Sequence, residues 1–195
     1  MKRPLACLSI VLLSLASATL AAATGRAALK AGAFDPPAPA PELSLQGSNG
    51  GTLSLRSYRG RVVLLEFGFT NCPKVCPTTL ATLASVHRHL GADAKRVQVV
   101  FVTVDPERDT PAQLRAYLRG FNPGFVGGTG TPAQLAEVRK HYGVMAQRRA
   151  VGNSYTVGHS SSVFLIDRQG RLRAMMPYGA LAADYVHDIR ALLAE

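Results

Sequence analysis

Residues 62–78 read VVLLEFGFTNCPKVCPT, a continuous apolar run followed at once by two cysteines. A run so rich in β-branched and aromatic residues is typical of a strand that is covered on both faces of a sheet. A second such run, VQVVFVTV at residues 97–104, predicts a neighbouring strand. Between the two runs, apolar residues recur at helical spacing over residues 78–90, so the sequence predicts a strand–helix–strand crossover that joins parallel strands.

Further elements are predicted on both sides of this crossover. They are an N-terminal hairpin, two helices that each open with Thr-Pro-Ala-Gln, a second hairpin and a closing helix, at residues 43–55, 110–119, 131–141, 163–176 and 181–193. A Thr before Pro, with Gln two positions after the Pro, is a helix start signal. The order of the elements predicts an α/β fold of thioredoxin-like type, with a central mixed sheet flanked by helices, an N-terminal hairpin and an inserted helix.

One glycine-rich segment needs a separate interpretation. Gly127-Gly128-Thr129-Gly130 lacks the Gly-Lys-Ser/Thr ending of a phosphate-binding loop. We therefore expect this segment to lead into the helix that follows it.

The first 41 residues differ from the rest of the chain. Residues 1–23 have a basic start, an apolar run and small residues at the end, which is typical of an export signal. An uncleaved membrane anchor is the alternative, because the run approaches the ~20 residues that span a bilayer. Residues 24–41 are rich in Ala and Pro and predict an extended linker. We therefore expect one folded domain at residues 42–195, in the periplasm or otherwise outside the cytoplasm. If the anchor is not cleaved, it would attach this domain to the inner membrane.

The chain of 195 residues is 47% hydrophobic and carries a formal net charge of +10. Such a charge suits nucleic acid, an anionic membrane surface or an acidic protein partner. Export argues against nucleic acid, and the basic residues are scattered instead of interleaved with aromatic side chains. The sequence favours a solvated basic surface first and an acidic docking partner second, with membrane contact only through the possible N-terminal anchor.

Two cysteines, Cys72 and Cys76, remain once the export segment is set aside. A disulfide between residues four apart would restrict the unfolded chain very little, so these cysteines indicate chemistry instead of stabilisation. Their spacing puts both sulfurs on one side of a helical turn, where the helix N-terminus and Lys74 favour thiolates. Two thiolates make a soft site that suits Cu(I) and leaves room for a further ligand.

His159 is the candidate for that further ligand. It stands just before the strand predicted at Val163, which returns the chain to the sheet edge that carries the cysteines. On this ground alone it is either a ligand or an ordinary loop histidine. Asp105 follows a central strand at the same edge, where it either caps a turn or orients the metal site. The other histidines are expected to be surface or packing residues: His87, His89, His141 and His187.

Three segments of the chain together resemble the Sco/SenC family of copper chaperones, which assist assembly of the dinuclear copper centre of cytochrome c oxidase. They are GRVVLLEFGFTNCPKVCPTTL at residues 60–80, VTVDPERDTP at 102–111, and His159-Ser160 ahead of FLID at 164–167. The resemblance spans about Pro41 to Leu193. It implies a thioredoxin-like fold with a copper site.

The resemblance also implies the roles of individual residues. Cys72, Cys76 and His159 match the family's copper ligands, with Cu(I) expected and Cu(II) left open as a second form. The implied function is delivery of copper to the copper-bearing subunit of cytochrome c oxidase, or preparation of that site, with another copper protein as an alternative acceptor. The family usually has Asp before the histidine, whereas this chain has Gly158. That departure removes a carboxylate that would tune the site or its docking.

The same cysteines would serve a thiol–disulfide oxidoreductase, which is the main alternative. Such an enzyme would act on cysteines of an oxidase subunit or of another exported protein, and a periplasmic thiol reductase would keep it reduced. Three intervening residues instead of two, and no Pro directly before Val163, argue against it. A peroxiredoxin-like peroxidase ranks third, because the chain lacks the Pro-x-x-x-Thr-x-x-Cys arrangement of those enzymes.

Overall fold

A computed structural model describes residues 28–195 of the chain. These residues form ten strands and four α-helices. The predicted export segment 1–23 lies outside these residues. The strands are β1 Gly32–Pro39, β2 Leu45–Gly47, β3 Thr52–Leu53, β4 Val62–Gly68, β5 Val97–Thr103, β6 Val126–Thr129, β7 Ala146–Val151, β8 Ser154–His159, β9 Val163–Ile166 and β10 Arg171–Met176. The helices are α1 Val75–Leu90, α2 Pro111–Arg119, α3 Pro132–His141 and α4 Ala182–Ala194.

Eight strands form one mixed sheet in the order β1-β10-β9-β4-β5-β6-β2-β3. Strand β4 is parallel to β5 and antiparallel to β9, and β5 is parallel to β6. The remaining strands, β7 and β8, pair only with each other and form a separate two-stranded sheet. The predicted mixed sheet, both predicted hairpins and the four predicted helices are therefore confirmed.

The core lies around the two central strands. All seven residues of β4 and all seven of β5 are buried, as their continuous apolar runs predict for strands covered on both faces. Phe67 and Phe101 are among the largest fully buried side chains. Helices α1 and α4 pack against each other on the sheet. The strand that leads to the cysteines is thus held on both faces and along both edges.

The linker prediction for residues 24–41 was wrong over Gly32–Pro39, and the sheet therefore begins before Glu42. These residues form β1, which pairs with β10 at one edge of the large sheet. Proline is tolerated there because an edge strand does not need every amide as a donor. The segment is also tied down by Asp188, whose carboxylate accepts the amide N–H groups of Lys30 at 2.7 Å and Ala31 at 2.9 Å.

The prediction that Gly127–Gly130 leads into a helix was wrong for most of that segment. Residues Val126–Thr129 form β6, which lies between β5 and β2 in the sheet. The glycines reflect close packing, since a Cβ at Gly127 would lie 2.9 Å from Cβ of Leu114 on α2.

No helix among residues 28–195 is long and apolar enough to cross a membrane.

Candidate metal centre

The two cysteines lie where β4 ends and α1 begins. Cys72 is in the connecting loop and is half-buried, whereas Cys76 is the second residue of α1 and is fully buried. Helix α1 begins at Val75, earlier than the predicted Thr78, so the backbone N–H of Cys76 lies in the first helical turn. This N–H donates to Sγ of Cys72 at 3.5 Å. A first-turn amide has no partner within its helix, and it therefore favours a thiolate at Cys72.

His159 reaches the cysteines from the other side of the centre. The prediction placed it in a loop before β9, but it is the last residue of β8, in a hairpin that the sequence analysis did not predict. Its Nε2 lies 3.5 Å from Sγ of Cys76. Its Nδ1 lies 2.7 Å from the carbonyl oxygen of Ser160. Because a carbonyl only accepts, Nδ1 donates this hydrogen bond, and Nε2 is the ring nitrogen that faces the sulfurs.

The three predicted ligands therefore form one cluster. The two Sγ atoms and one ring nitrogen of His159 all lie within 4.8 Å of one another. Neither cysteine is in a disulfide. A cleft of about 230 Å³ opens beside the cluster, lined on one side by the cysteine loop and on the other by β8. Two sulfurs and one imidazole in a partly open site are a donor set that selects soft metals such as Cu(I).

The two thiols have opposite electrostatic surroundings. A hydrogen bond from the Cys76 thiol, supported by backbone amides, lowers the pKa of Cys72 to about 4. The same hydrogen bond, together with burial, raises the pKa of Cys76. Without metal, the two sulfurs are therefore expected to hold one proton between them. Cys76 carries it and donates it in a hydrogen bond to the Cys72 thiolate. Burial, together with the nearby Cys72 thiolate, raises the pKa of Glu66 well above its usual range and so favours its neutral form.

Asp105 is buried at the predicted sheet edge, but its carboxylate does not bind a ligand residue. It forms an ion pair with Arg108 and accepts a hydrogen bond from the hydroxyl of Tyr155 at 2.7 Å. Its carbonyl oxygen accepts the amides of Arg108 and Asp109 in a turn. Asp105 thus stabilises a turn and also contacts β8, the strand that ends in His159.

Asp109 is a structural support that the sequence analysis did not single out. Its fully buried carboxylate accepts the backbone N–H of Thr70 at 3.0 Å, the hydroxyl of Thr70 at 2.6 Å and the hydroxyl of Thr103 at 2.6 Å. It thereby joins the end of β5 to the start of the cysteine loop. The available signal was a second aspartate four residues after Asp105, within the same motif.

The other four histidines lie away from this cluster. His87 packs edge-on against Phe125, His89 bonds to the carbonyl of Ser85, His141 pairs with Glu137 and His187 pairs with Asp188. These contacts agree with the packing and surface roles expected for them. Within the described part of the chain, Cys72, Cys76 and His159 are the group of three metal-binding side chains that lie close together.

Comparisons with known proteins show which family this chain is similar to. The SCO1/SenC family model matches residues 35–194. The mitochondrial SCO2 homolog of Bos taurus is 39% identical over 133 residues, which are 66% of this chain and 50% of that protein. The chain also spans only 62% of an SCO2-like protein of Rickettsia prowazekii.

Solved structures extend the likeness to the fold. Bradyrhizobium japonicum ScoI with copper bound is 36% identical, with a TM-score of 0.74 over 80% of this chain and 100% of that one. Apo Sco1 from Thermus thermophilus is also 36% identical, with a TM-score of 0.76 over 85% and 98% of the two chains. The predicted thioredoxin-like fold is confirmed.

Proposed function

This chain belongs to the SCO1/SenC family, and we propose that it is a copper chaperone that binds one copper ion through Cys72, Cys76 and His159. The observation that carries the proposal is the convergence of these three donor atoms within 4.8 Å. Metal binding requires deprotonated thiols, and Cys72 already favours the thiolate. The Ser160 carbonyl fixes the His159 tautomer, as hydrogen-bond partners commonly do for metal-binding histidines.

Copper is the cargo in this proposal, and cytochrome c oxidase is its destination. The ScoI structure from Bradyrhizobium japonicum contains copper. By family membership, the acceptor is the copper-bearing subunit of cytochrome c oxidase, which holds the dinuclear centre. A half-open site suits this task, because the copper must leave as well as bind. Cu(I) suits the two sulfurs best, and Cu(II) is the second form to test.

The proposed place of action is outside the cytoplasm. This part of the proposal rests on the basic and apolar pattern of residues 1–23. Fractionation of cells that express the full chain should recover it with periplasmic or inner-membrane proteins. Recovery with cytoplasmic proteins would contradict the location and leave the copper site unaffected.

Copper titration of the reduced protein tests the proposal directly. We expect one tightly bound Cu(I) per chain, with affinity lowered more than about 100-fold by Cys72→Ser or Cys76→Ser and at least about tenfold by His159→Ala. His141→Ala is the matched control, since His141 is half-exposed and pairs with Glu137. Binding that is indifferent to His159 would reject the three-ligand site.

One observation favours thiol–disulfide exchange as a second function. An accessible, low-pKa Cys72 next to a buried Cys76 is the arrangement of an attacking and a resolving cysteine. In that reaction the Cys72 thiolate attacks a substrate disulfide, forms a mixed disulfide and releases one substrate thiolate. Cys76 then gives up its proton and attacks Sγ of Cys72, which releases the second substrate thiolate, so the substrate is reduced to two thiols and a Cys72–Cys76 disulfide forms. Rapid reduction of a model disulfide, with unchanged rate in His159→Ala, would support exchange over copper transfer.

A further inference from the structure

The hairpin formed by β7 and β8 brings His159 to the cysteines without being part of the large sheet. An isolated two-stranded hairpin is marginally stable in water, so the contacts that attach this one must fix its position. Most of β7 is exposed, and the buried side of the hairpin is carried mainly by β8. The position of His159 therefore depends on a small set of side-chain contacts.

Tyr155 on β8 lies at the centre of these contacts. Its ring is held between two guanidinium groups, with Cζ of Arg108 3.9 Å and Cζ of Arg148 4.0 Å from the ring centroid. Its hydroxyl donates to the buried carboxylate of Asp105 at 2.7 Å. Its carbonyl oxygen accepts from Nη1 of Arg108 at 3.0 Å. The ring, hydroxyl and backbone of one residue are thus all fixed by the turn that follows β5.

Arg148, the second residue that stacks on the Tyr155 ring, also connects β7 to the turn that follows β5. Arg148 on β7 forms an ion pair with Glu107 at 2.8 Å, and Glu107 belongs to the same turn as Arg108. Stacking of a guanidinium on an aromatic ring combines cation–π attraction with planar contact. β8 is therefore joined to this turn through Tyr155, and β7 is joined to it through Arg148.

A short path of contacts leads from Tyr155 to His159. The two residues lie four positions apart on β8, so their side chains share one face of the strand. Arg108 also lies over the ring of Phe69, at 5.8 Å from its centroid. Phe69 in turn packs edge-on against the His159 ring, at 5.8 Å between centroids. Arg108 therefore contacts both Tyr155 and the ring that supports His159.

We propose that Tyr155, clamped between Arg108 and Arg148, is a positioning residue that holds His159 within reach of the cysteines. The inference rests on the proposed function, because it gives His159 the role of a ligand. Tyr155 itself does not bind the metal. It fixes the strand that carries the ligand, and loss of its ring would let the hairpin move away from the cysteine loop.

A double-mutant cycle with Tyr155→Leu and His159→Ala tests the proposal through Cu(I) affinity. We expect Tyr155→Leu to lower the affinity about tenfold in the native background, within the range seen for residues that orient metal ligands. The same change should alter affinity less than about twofold when His159 is already Ala. Tyr155→Phe keeps the stacked ring and loses only the hydroxyl's bonds to Asp105 and Glu107, so it should retain most of the affinity. Tyr178→Leu is the control, because Tyr178 is an exposed tyrosine in the loop before α4.

Amide hydrogen exchange of the copper-free protein gives a second, independent readout. The N–H of Ser160 donates to the carbonyl of Met145 at the base of the hairpin, at 3.0 Å. Tyr155→Leu should speed exchange of this amide at least about tenfold, whereas amides of β4 should keep their rates.

Three results separate the possible failures. Equal losses of affinity in both backgrounds would assign Tyr155 a general structural role and overturn the proposal. Unchanged Ser160 exchange in Tyr155→Leu would overturn it whatever the copper result. If His159→Ala alone leaves copper binding unchanged, the proposed function fails, and the exchange rates still decide whether Tyr155 fixes the hairpin.

Discussion

The metal centre joins two regions of very different construction. The cysteine side lies at the end of β4, a fully buried strand that is paired along both edges. The histidine side lies at the end of β8, in a two-stranded hairpin that has five exposed residues in β7. Backbone pairing within a core fixes the first region, whereas side-chain contacts fix the second, chiefly those of Tyr155 to one turn and of the buried Val157 to the core. Two of the three ligands are therefore held next to a buried strand, and the third by a more exposed hairpin.

This difference bears on how a chaperone gives up its metal. Segments with few buried contacts open at lower free energy than core strands. Opening of the hairpin would remove the nitrogen ligand and leave copper on two sulfurs that are already partly accessible through Cys72. A ligand from the acceptor could then take the place of His159 on the copper before the two sulfurs of this chain let the copper go. The cysteine region would remain folded throughout such an exchange.

The largest effect is expected from removing a support of the cysteine region. Asp109→Ala leaves one backbone N–H and two hydroxyl groups without their buried acceptor, so we expect the free energy of unfolding to fall by about 3 kcal/mol. Cu(I) affinity should also fall, because Thr70 starts the cysteine loop. Urea denaturation measures the first effect and copper titration the second.

Glu107→Ala is the matched control, because it removes an exposed acid from the middle of the same turn. It should leave the denaturation midpoint unchanged within error. Equal loss of stability in the two variants would mean that the cysteine region is no more rigidly supported than the hairpin.

The second prediction concerns the two thiols within the rigid region. Since the pKa of Cys72 is lowered to about 4, its alkylation rate should stay nearly flat from pH 6 to pH 8. An ordinary thiol, with a pKa near 8.5, would gain about 100-fold over that range. Iodoacetamide labelling followed by mass spectrometry distinguishes Cys72 from the buried Cys76.

The causes of the shift determine the controls. Cys76→Ala removes the hydrogen bond that contributes most, whereas His159→Ala removes the weakest of the five contributions. Cys76→Ala should therefore restore a steep pH profile, and His159→Ala should change it little. The opposite order would show that the hairpin, not the helix start, controls the thiolate.

The lowered pKa of Cys72 also makes the free energy of unfolding depend on pH. Between about pH 4 and the ordinary thiol pKa, the folded chain binds fewer protons at Cys72 than the unfolded chain does. The contribution of this group to the free energy of unfolding therefore rises with pH over that window and is lost as the pH falls through 4. Cys76 contributes nothing there, since its thiol is protonated in both states until the pH approaches its ordinary pKa.

The rigid region was also the part that the sequence predicted well. Its strands are continuous apolar runs, and Cys72 and Cys76 follow one of them directly, so periodicity and spacing place them correctly. The hairpin gave no such signal: Gln147, Arg148 and Arg149 are exposed and polar, and β8 has little alternation. His159 was found through its position before β9 and through the family resemblance. The ring of Tyr155 and the carboxylate of Asp109 act through contacts distant in sequence, which no local pattern reveals.

Alanine substitutions of one glycine in each region, Gly68 and Gly158, are expected to have the next largest effects on stability. A Cβ at Gly68 would lie 2.8 Å from Sγ of Cys76 and 2.7 Å from the ring of Phe101, inside a packed core. Gly68→Ala should lower the free energy of unfolding by about 2 kcal/mol and weaken Cu(I) binding by displacing Cys76. Gly158→Ala meets nothing closer than 3.9 Å, and its effect on stability should be within about 0.5 kcal/mol. Thermal denaturation and copper titration of both variants test the contrast, which similar losses at the two sites would contradict.

The smallest effect is expected at Gly158, where the family resemblance implies an Asp. A side chain there would extend toward Nε of Arg149, which is 3.9 Å from the Cβ position, and into solvent. Gly158→Asp therefore adds an exposed ion pair worth under about 1 kcal/mol, together with a negative charge one residue from His159. We expect Cu(I) affinity to rise no more than about threefold at low salt, with the gain lost at high salt. Gly158→Asn, which has the same size without the charge, should leave affinity unchanged. Equal effects of Asp and Asn would assign the change to the backbone of β8, and a gain above tenfold would mean that the carboxylate reaches the metal and that the flexible side of the site can supply a fourth ligand.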